Sequence, residues 1–300
     1  MSIIRDGPEA HNSLFASGIP DDTPEILKRA AQRIQFTPSY VIVGVYRLFT
    51  DRTLSKPVWD KTKHGLRRGT TLSLVWGVLT FGIQRAFVAY FMSKSPRVTG
   101  LADDTFFGYQ LPFSLISYAT VTFIAAQATM AIRFFLSRNL RIARDRVWDQ
   151  SVASRGKGPD FWKPYVEEWD HPPVIKRAPW WQRVLFGNWV LSMIIRKVVF
   201  IPFGFIPVIG IVIPAWFKGL GMARILHRRY FEAKGMTDEQ VAVFMEERKW
   251  DYRAFGFTAA LLEGLPLIGL VFSVSNRIGA AMWAHDLEKM QHFHAQKKRS

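Results

Sequence analysis

Two long apolar runs stand out from an otherwise mixed pattern. Thr70 to Met92 is interrupted only by Gln84 and Arg85, and Phe113 to Leu136 holds Gln127 inside and Arg133 near its end. About 20 apolar residues cross the hydrocarbon core of a bilayer, so each run predicts a transmembrane helix. Lys61, Lys63, Arg67 and Arg68 precede the first, and Arg138, Arg141, Arg144 and Arg146 follow the second. The connection, residues 93–112, carries only Lys94 and Arg97 beside Asp103 and Asp104. Lys and Arg gather on the cytoplasmic side of membrane segments, so both outer flanks are expected in the cytoplasm and the pair reads as a transmembrane hairpin.

Two further apolar stretches are too broken for a straight helix. Val198 to Phe217 has no charge, yet Pro202, Pro207 and Pro214 each remove a backbone donor and Gly204 and Gly210 loosen the chain between them. A bend near Pro207 follows. Basic residues stand before it (Lys176, Arg177, Arg183) and after it (Lys218, Arg224, Arg228, Arg229, Lys234). Two full crossings need about 40 apolar residues, more than are present, so a hairpin that enters and turns back is expected. The motif Pro207-Val-Ile-Gly210 is answered by Pro266-Leu-Ile-Gly269. That second bend follows Gly256, Ala260 and Gly264, spaced by four as on the close-packing face of a membrane helix.

The remaining segments are amphipathic or polar. Ile26, Leu27, Ala30, Ala31 and Ile34 share a helical face; Tyr40 to Phe49 is too short to span and reads as interfacial. Residues 147–182 are Trp-rich and broken by Pro and Gly, the composition of an interfacial segment. Gly235 ends a basic helix, and Thr237 with Gln240 has the capping-box spacing that starts the next. The expected fold class is all-α: a multi-pass membrane protein with two transmembrane helices, two Pro/Gly-bent apolar hairpins and amphipathic connecting helices. Residues 1–65 form a polar cytoplasmic segment, 66–289 the membrane domain and 290–300 a basic cytoplasmic tail.

Composition narrows the partner. A net charge of +16 calls for an anionic one, either nucleic acid or the anionic leaflet of a membrane. Trp162, Trp169, Trp180 and Trp181 among basic residues could stack on single-stranded nucleic acid, but no RRM, KH or zinc-finger spacing accompanies them. The expected partner is a lipid bilayer or lipid-droplet monolayer through its anionic headgroups, with no nucleic acid; a homo-oligomer is compatible with this. The chain has no Cys, hence neither disulfides nor thiolate metal sites. The N-terminal stretch shows no basic start followed by an apolar core, so no cleavable signal peptide is expected there.

Sequences of the HExxH, P-loop and Gly-x-Ser-x-Gly types are absent, and Gly219-Leu-Gly221 reads as helix packing. No enzyme activity, cofactor or metal is expected; His285, His292 and His294 near Asp286 and Glu288 read as a solvated tail. Ionisable groups within apolar runs carry more information: Arg85, Arg133, Arg196, Lys197 and Glu263. Arg85, Glu263, Asn276 and Arg277 are the candidates for a polar pathway or a buried ion pair. Lys297 and Lys298 stand fourth and third from the end, as in the dilysine retrieval signal of endoplasmic-reticulum membrane proteins.

Residues 255–289 carry a resemblance. Phe255-Gly256, Leu261-Leu262-Glu263 before Leu265-Pro266, Ser275-Asn276, Gly279-Ala280-Ala281, Trp283-Ala284 and Asp286-Leu287-Glu288-Lys289 resemble the family joining bacterial CysZ sulfate-transport proteins and etoposide-induced membrane proteins, in its fungal outer-spore-wall and lipid-droplet branch. His227-Arg228-Arg229-Tyr230-Phe231 with Lys234-Gly235 matches upstream, and Gly44, Tyr46 and Trp59 more loosely. The chain departs from the pattern at His285, where a small residue is expected, and at Arg277. The resemblance implies an all-helical fold with two full spans and two hemi-penetrating hairpins. It does not imply one activity: bacterial relatives move sulfate, while fungal ones are linked to membranes, lipid bodies and spore-wall formation. With apolar hairpins entering from the cytoplasm, the expected protein is a non-enzymatic one of the endoplasmic reticulum or lipid droplet, related to lipid-body or spore-wall biology and sporulation; the alternative is an anion channel or permease for a sulfate-like ion.

Overall fold

A computed structural model describes residues 24–94, 105–106, 109–110, 114–156, 159–165 and 209–297. These residues are helical throughout, apart from short connections, one turn of 3-10 helix at Pro159–Phe161 and a two-residue antiparallel pairing of β1 (Thr105–Phe106) with β2 (Tyr109–Gln110). The amphipathic helix α1 is Glu25–Gln35, and α2 is Pro38–Thr50.

Both long apolar runs lie inside helices about twice their length. Helix α3 is Arg52–Lys94, 43 residues, and α4 is Leu115–Ala153, 39 residues. At 1.5 Å per residue these are about 65 and 58 Å long, so only part of each matches a bilayer. They pair antiparallel along a seam of small residues on α3. Gly65 faces Phe135 and Leu136, Gly69 faces Ile132, and Gly77 faces Ile124. Ser73 completes the fourfold spacing, its hydroxyl donating to the Gly69 carbonyl at 2.7 Å. A residue every four positions stays on one helix face, and small ones let two helix backbones approach.

Beyond this hairpin, α5 (Ile209–Ala233), α6 (Asp238–Glu247) and α7 (Lys249–Gly264) pack with α1, α2 and the last part of α4 around α8, Gly269–Lys297. Residues 278–288 of α8 are buried on every side, the signature of a central helix. The chain past Ala284 is therefore no solvated tail: the helix continues, and His285, Asp286 and Glu288 are buried. The carboxylates of Asp286 and Glu288 meet partners on α1, on α2 and at the end of α5, which is why their burial is tolerated. Helix α2 is likewise a core element rather than an interfacial one. Tyr40, Val41, Gly44 and Leu48 fall on one face and are buried against α8, while Ile42, Tyr46 and Phe49 stay exposed.

Local signals set the joints. Gly235 takes φ +64 and the Met236 N–H returns to the Phe231 carbonyl at 3.0 Å, closing α5. Thr237 and Gln240 form the reciprocal capping box that opens α6. Helices α5 and α7 run antiparallel with Gly219 against Gly256 and Ile211 against Gly264, so Gly219 serves packing. Helices α7 and α8 are joined by a tight turn at Leu265–Ile268 in which Leu267 adopts φ 62. Gly269 follows because a Cβ there would overlap the Glu263 carbonyl oxygen. The two Pro-x-x-Gly motifs both sit at helix starts: Gly210 lies in the first turn of α5 and Gly269 opens α8. Pro207 and the bend expected around it lie outside the described residues, as do Arg196, Lys197 and Lys298; Lys297 ends α8.

Candidate functional site

The largest chemically distinctive surface is the α3–α4 hairpin. Leu72, Val78, Leu79, Ile83, Phe87 and Tyr90 on α3, and Val121, Met130 and Phe134 on α4, are exposed large apolar side chains. Leu72 to Tyr90 rises about 27 Å along the helix, close to the hydrocarbon thickness of about 30 Å. Only 17% and 22% of the two apolar windows are buried, which a soluble core helix would not show. Both helices are long and apolar enough to cross a membrane. On one side the band ends in exposed arginines: Arg67 and Arg68 on α3, Arg133 and Arg138 on α4.

The polar residues inside the band close on one another. The Gln84 and Gln127 side chains exchange amide hydrogen bonds at 3.2 and 3.1 Å. The Trp76 indole donates to Gln127 Oε1 at 2.7 Å, and Gln84 Nε2 donates to the Thr80 hydroxyl at 2.6 Å. Interhelical amides of this kind hold transmembrane helices together, each bond contributing about 0.6–2 kcal/mol.

The sequence-derived site residues separate into two groups. Arg85 is exposed on the apolar band of α3, one position past the inward-facing Gln84. Glu263, Asn276 and Arg277 come together at the α7–α8 hairpin, where Arg144, Arg133 and Arg277 act electrostatically on Glu263 and Asn276 lies within hydrogen-bonding reach. Arg277 donates to the carbonyls of Ile225 and Leu226 at 2.9 and 3.3 Å, and the buried Asn276 amide donates to Ala259 at 3.1 Å. The turn between these helices is pinned to α4, the Leu267 N–H donating to the Thr129 hydroxyl at 2.8 Å, with Leu267, Ile268 and Val271 exposed. Pro266 sits in this turn.

Three buried constellations escaped the sequence reading. Lys234 and Glu288 form an ion pair at 2.7 Å. Asp286 accepts from the Tyr40 hydroxyl at 3.0 Å and faces Arg33 at 3.5 Å. His227 lies among Tyr252, Phe255 and Trp283, its ring centroid 4.4 Å from that of Trp283. Its Nε2 donates to the Ala280 carbonyl at 3.2 Å, so the neutral ring accepts at Nδ1 from the Tyr252 hydroxyl at 2.8 Å. None offers a nucleophile beside a base, and among the described residues no group of three His, Asp or Glu is placed to hold a metal ion. The sequence signals were the runs quoted for the resemblance: His227-Arg228-Arg229-Tyr230-Phe231 with Lys234-Gly235, Trp283-Ala284 and Asp286-Leu287-Glu288-Lys289.

Burial lowers the His227 pKa from the ordinary 6.5 to about 3, against the opposing hydrogen bond to Ala280. The unfolded chain takes up this proton near pH 6.5 and the native protein does not, so stability is complete above 6.5 and declines as pH falls toward 3. Asp251 acts in the opposite sense: burial raises its pKa to about 7 against the pull of Arg248. Its contribution is complete below the unfolded value near 3.8 and is lost as pH rises through 7. Asp251→Asn is therefore expected to raise stability by about 1–3 kcal/mol at pH 8 and to change nothing near pH 3.5, read by denaturant unfolding in detergent at both pH values.

Over 62 residues, 39% are identical to the outer spore wall protein RRT8 of Saccharomyces cerevisiae; the match covers 21% of this chain and 18% of that protein. The chain thus spans about a fifth of the curated relative it matches. No family model matches the chain, and no solved structure matches it. The resemblance to the CysZ family accordingly rests on the residues quoted for it.

Proposed function

We propose that this is a non-enzymatic integral membrane protein whose α3–α4 hairpin crosses a bilayer and whose α7–α8 turn enters the near leaflet, resident in the endoplasmic reticulum and lipid-droplet system. The observation that carries the reading is the exposed apolar band of bilayer thickness ending in a collar of arginines. A band of that area exposed to water would be an aggregation site. The turn supports a shallow second insertion: it is fixed to Thr129, four residues from Arg133 on the apolar side, or about 6 Å. The collar supports an orientation with both termini toward the cytoplasm, where Lys and Arg gather.

The link to spore-wall biology comes from the name of the partial relative. A hairpin that carries its polar connection across requires a bilayer, so the reticulum is the expected main location and the droplet surface the lesser one. Imaging of the tagged full chain with a neutral-lipid dye tests this, and exclusion from both compartments would overturn it. Lys297 and Lys298 are the proposed retrieval signal. Replacing both with Ser is expected to let the protein leak to later compartments or droplets, and an unchanged distribution would remove the signal from the reading.

An anion permease is the second reading. Arg133, Arg144 and Arg277 around the carboxylate of Glu263 near the membrane edge, three cations against Glu263 and Asp145, favour it. The α3–α4 seam speaks against a path there, since Gln84 and Gln127 fill it. Sulfate uptake by proteoliposomes above that of empty vesicles would establish the permease.

A further inference from the structure

We infer that the seam between α5 and α7 is a second, shallow membrane contact in which Trp216 and Phe217 lie in the headgroup layer and Arg253 binds the phosphate of an anionic phospholipid. This rests on the membrane reading of the α3–α4 hairpin and adds a lipid-binding residue to it. Trp216 and Phe217 are 44% and 72% exposed on α5, although large aromatic side chains are normally drawn into the core. Their depth follows from two contacts. The α7–α8 turn is fixed to Thr129 of α4, and Ile211 of α5 touches Gly264 beside that turn. Helix α5 therefore starts level with the turn and runs away from the apolar band. Phe217, six residues beyond Ile211, stands about 9 Å farther on. That is close to the level of Arg133, in the layer about 5–8 Å thick that holds the headgroups.

The charge chemistry is specific to one residue. The other arginines of α5 and of the turn into α7 are engaged with carboxylates: Arg224 with Asp238, Arg228 with Glu232, Arg229 with Asp145 and Asp149, and Arg248 with Glu247. Among the described residues no carboxylate pairs with Arg253. Its guanidinium instead lies over the Trp216 ring at 5.0 Å and over the Trp250 ring at 5.9 Å, while Phe257 meets Trp216 edge-on at 5.7 Å. A stacked guanidinium keeps its planar N–H edge for an oxyanion, and phosphate fits it in bidentate fashion. Trp and Tyr collect at this depth of a membrane because the ring body is apolar and its tip polar. A soluble protein partner or a second copy would cover the same aromatics, but the unpaired cation at headgroup depth matches the lipid.

The chain contains no native Cys, so single-cysteine variants of the full protein carry one environment-sensitive fluorophore each. Phe217→Cys, Leu79→Cys and Glu232→Cys are compared in nanodiscs of phosphatidylcholine with and without phosphatidylserine, quenched by lipids spin-labelled at the headgroup, by lipids labelled deep in the acyl chain, and by iodide. The label at position 79 is expected to be quenched by the deep probe, that at 232 by iodide, and that at 217 by the headgroup probe with loss of iodide quenching. Adding phosphatidylserine is expected to increase headgroup quenching at 217, and Arg253→Gln to abolish the increase. Iodide quenching at 217 equal to that at 232, or shielding from both iodide and lipid probes as in a protein contact, overturns the inference while the result at 79 leaves the hairpin intact. An increase with phosphatidylserine that survives Arg253→Gln overturns the assignment of the phosphate to Arg253. Loss of deep quenching at 79 is the separate signature of failure of the hairpin itself.

Discussion

Glu288→Ala is expected to destabilise the protein by about 3–5 kcal/mol, because it leaves the ammonium of Lys234 buried without its counter-ion. The Lys234 and Glu288 side chains are 2% and 0% exposed and 2.7 Å apart. Around them the Lys163 N–H donates to Glu288 Oε1 at 2.9 Å and Lys234 Nζ donates to Gln291 Oε1 at 2.9 Å. The pair thus ties the end of α5, α8 and the segment after α4 together. Breaking such a pair from one side costs far more than the pair contributes, since replacing both partners with apolar groups of similar size is often neutral. The double variant Lys234→Met with Glu288→Leu is therefore expected to recover most of the loss. Thermal unfolding in detergent of the two single variants and the double variant measures the cycle; a double variant as unstable as the sum of the singles would contradict it.

The second large effect sits at the crossing of α2 and α8. A Cβ on Gly279 would overlap the Tyr40 carbonyl oxygen, and one on Gly44 would overlap the Ser275 carbonyl oxygen. The obstructing atoms are backbone and cannot rotate away, so Gly279→Val is expected to cost about 3 kcal/mol or more, at the upper end of overpacking effects. Gly221 provides the control: it is in the middle of α5 with open space around its Cβ direction. Gly221→Ala is expected to be neutral or to stabilise by up to about 1 kcal/mol, as glycine is a poor helix former. Equal losses from the two substitutions in chemical denaturation would show that the α2–α8 approach is not what Gly279 is for.

What the chain disclosed before its structure depended on how local the signal was. The two apolar helices were readable because hydropathy alone marks about 20 residues, and the capping box at Thr237 because its partners are three residues apart. The lengths of α3 and α4 were not readable, since the hydropathy signal stops at the basic flanks while the helix continues through them, in α3 past Gly69, Gly65 and Pro57. Glu263, Asn276 and Arg277 were found together because a tight turn folds near neighbours onto each other. Arg85 was not separable from them by sequence. Its placement follows from the seam, where residues spaced by four from Gly65 to Gly77 face α4 and leave position 85 about 100° from the inward-facing Gln84.

The central role of α8 was hidden for a different reason. The Pro- and Gly-broken stretch around Pro207 looks more distinctive, whereas α8 runs from Ala280, Ala281 and Ala284 into His285, Asp286 and Glu288, and its part past Ala284 reads as a polar tail. Small residues let neighbouring backbones close in, and the charges are acceptable because partners arrive from far along the chain. Tyr40 reaches Asp286 across 246 positions and Lys234 reaches Glu288 across 54. Periodicity within one helix carries no trace of such pairs.

An apolar carbene reagent dissolved in the bilayer reads directly which side chains face hydrocarbon in the full-length protein. After photolysis with an aqueous scavenger present, label is expected on Leu72, Val78, Leu79, Ile83 and Phe87 of α3 and on Val121 and Met130 of α4, all exposed, while Val88 and Trp283, both fully buried, remain unlabelled. Absence of label from α3 and α4 in membranes whose lipids are labelled would mean that the apolar band lies outside the bilayer.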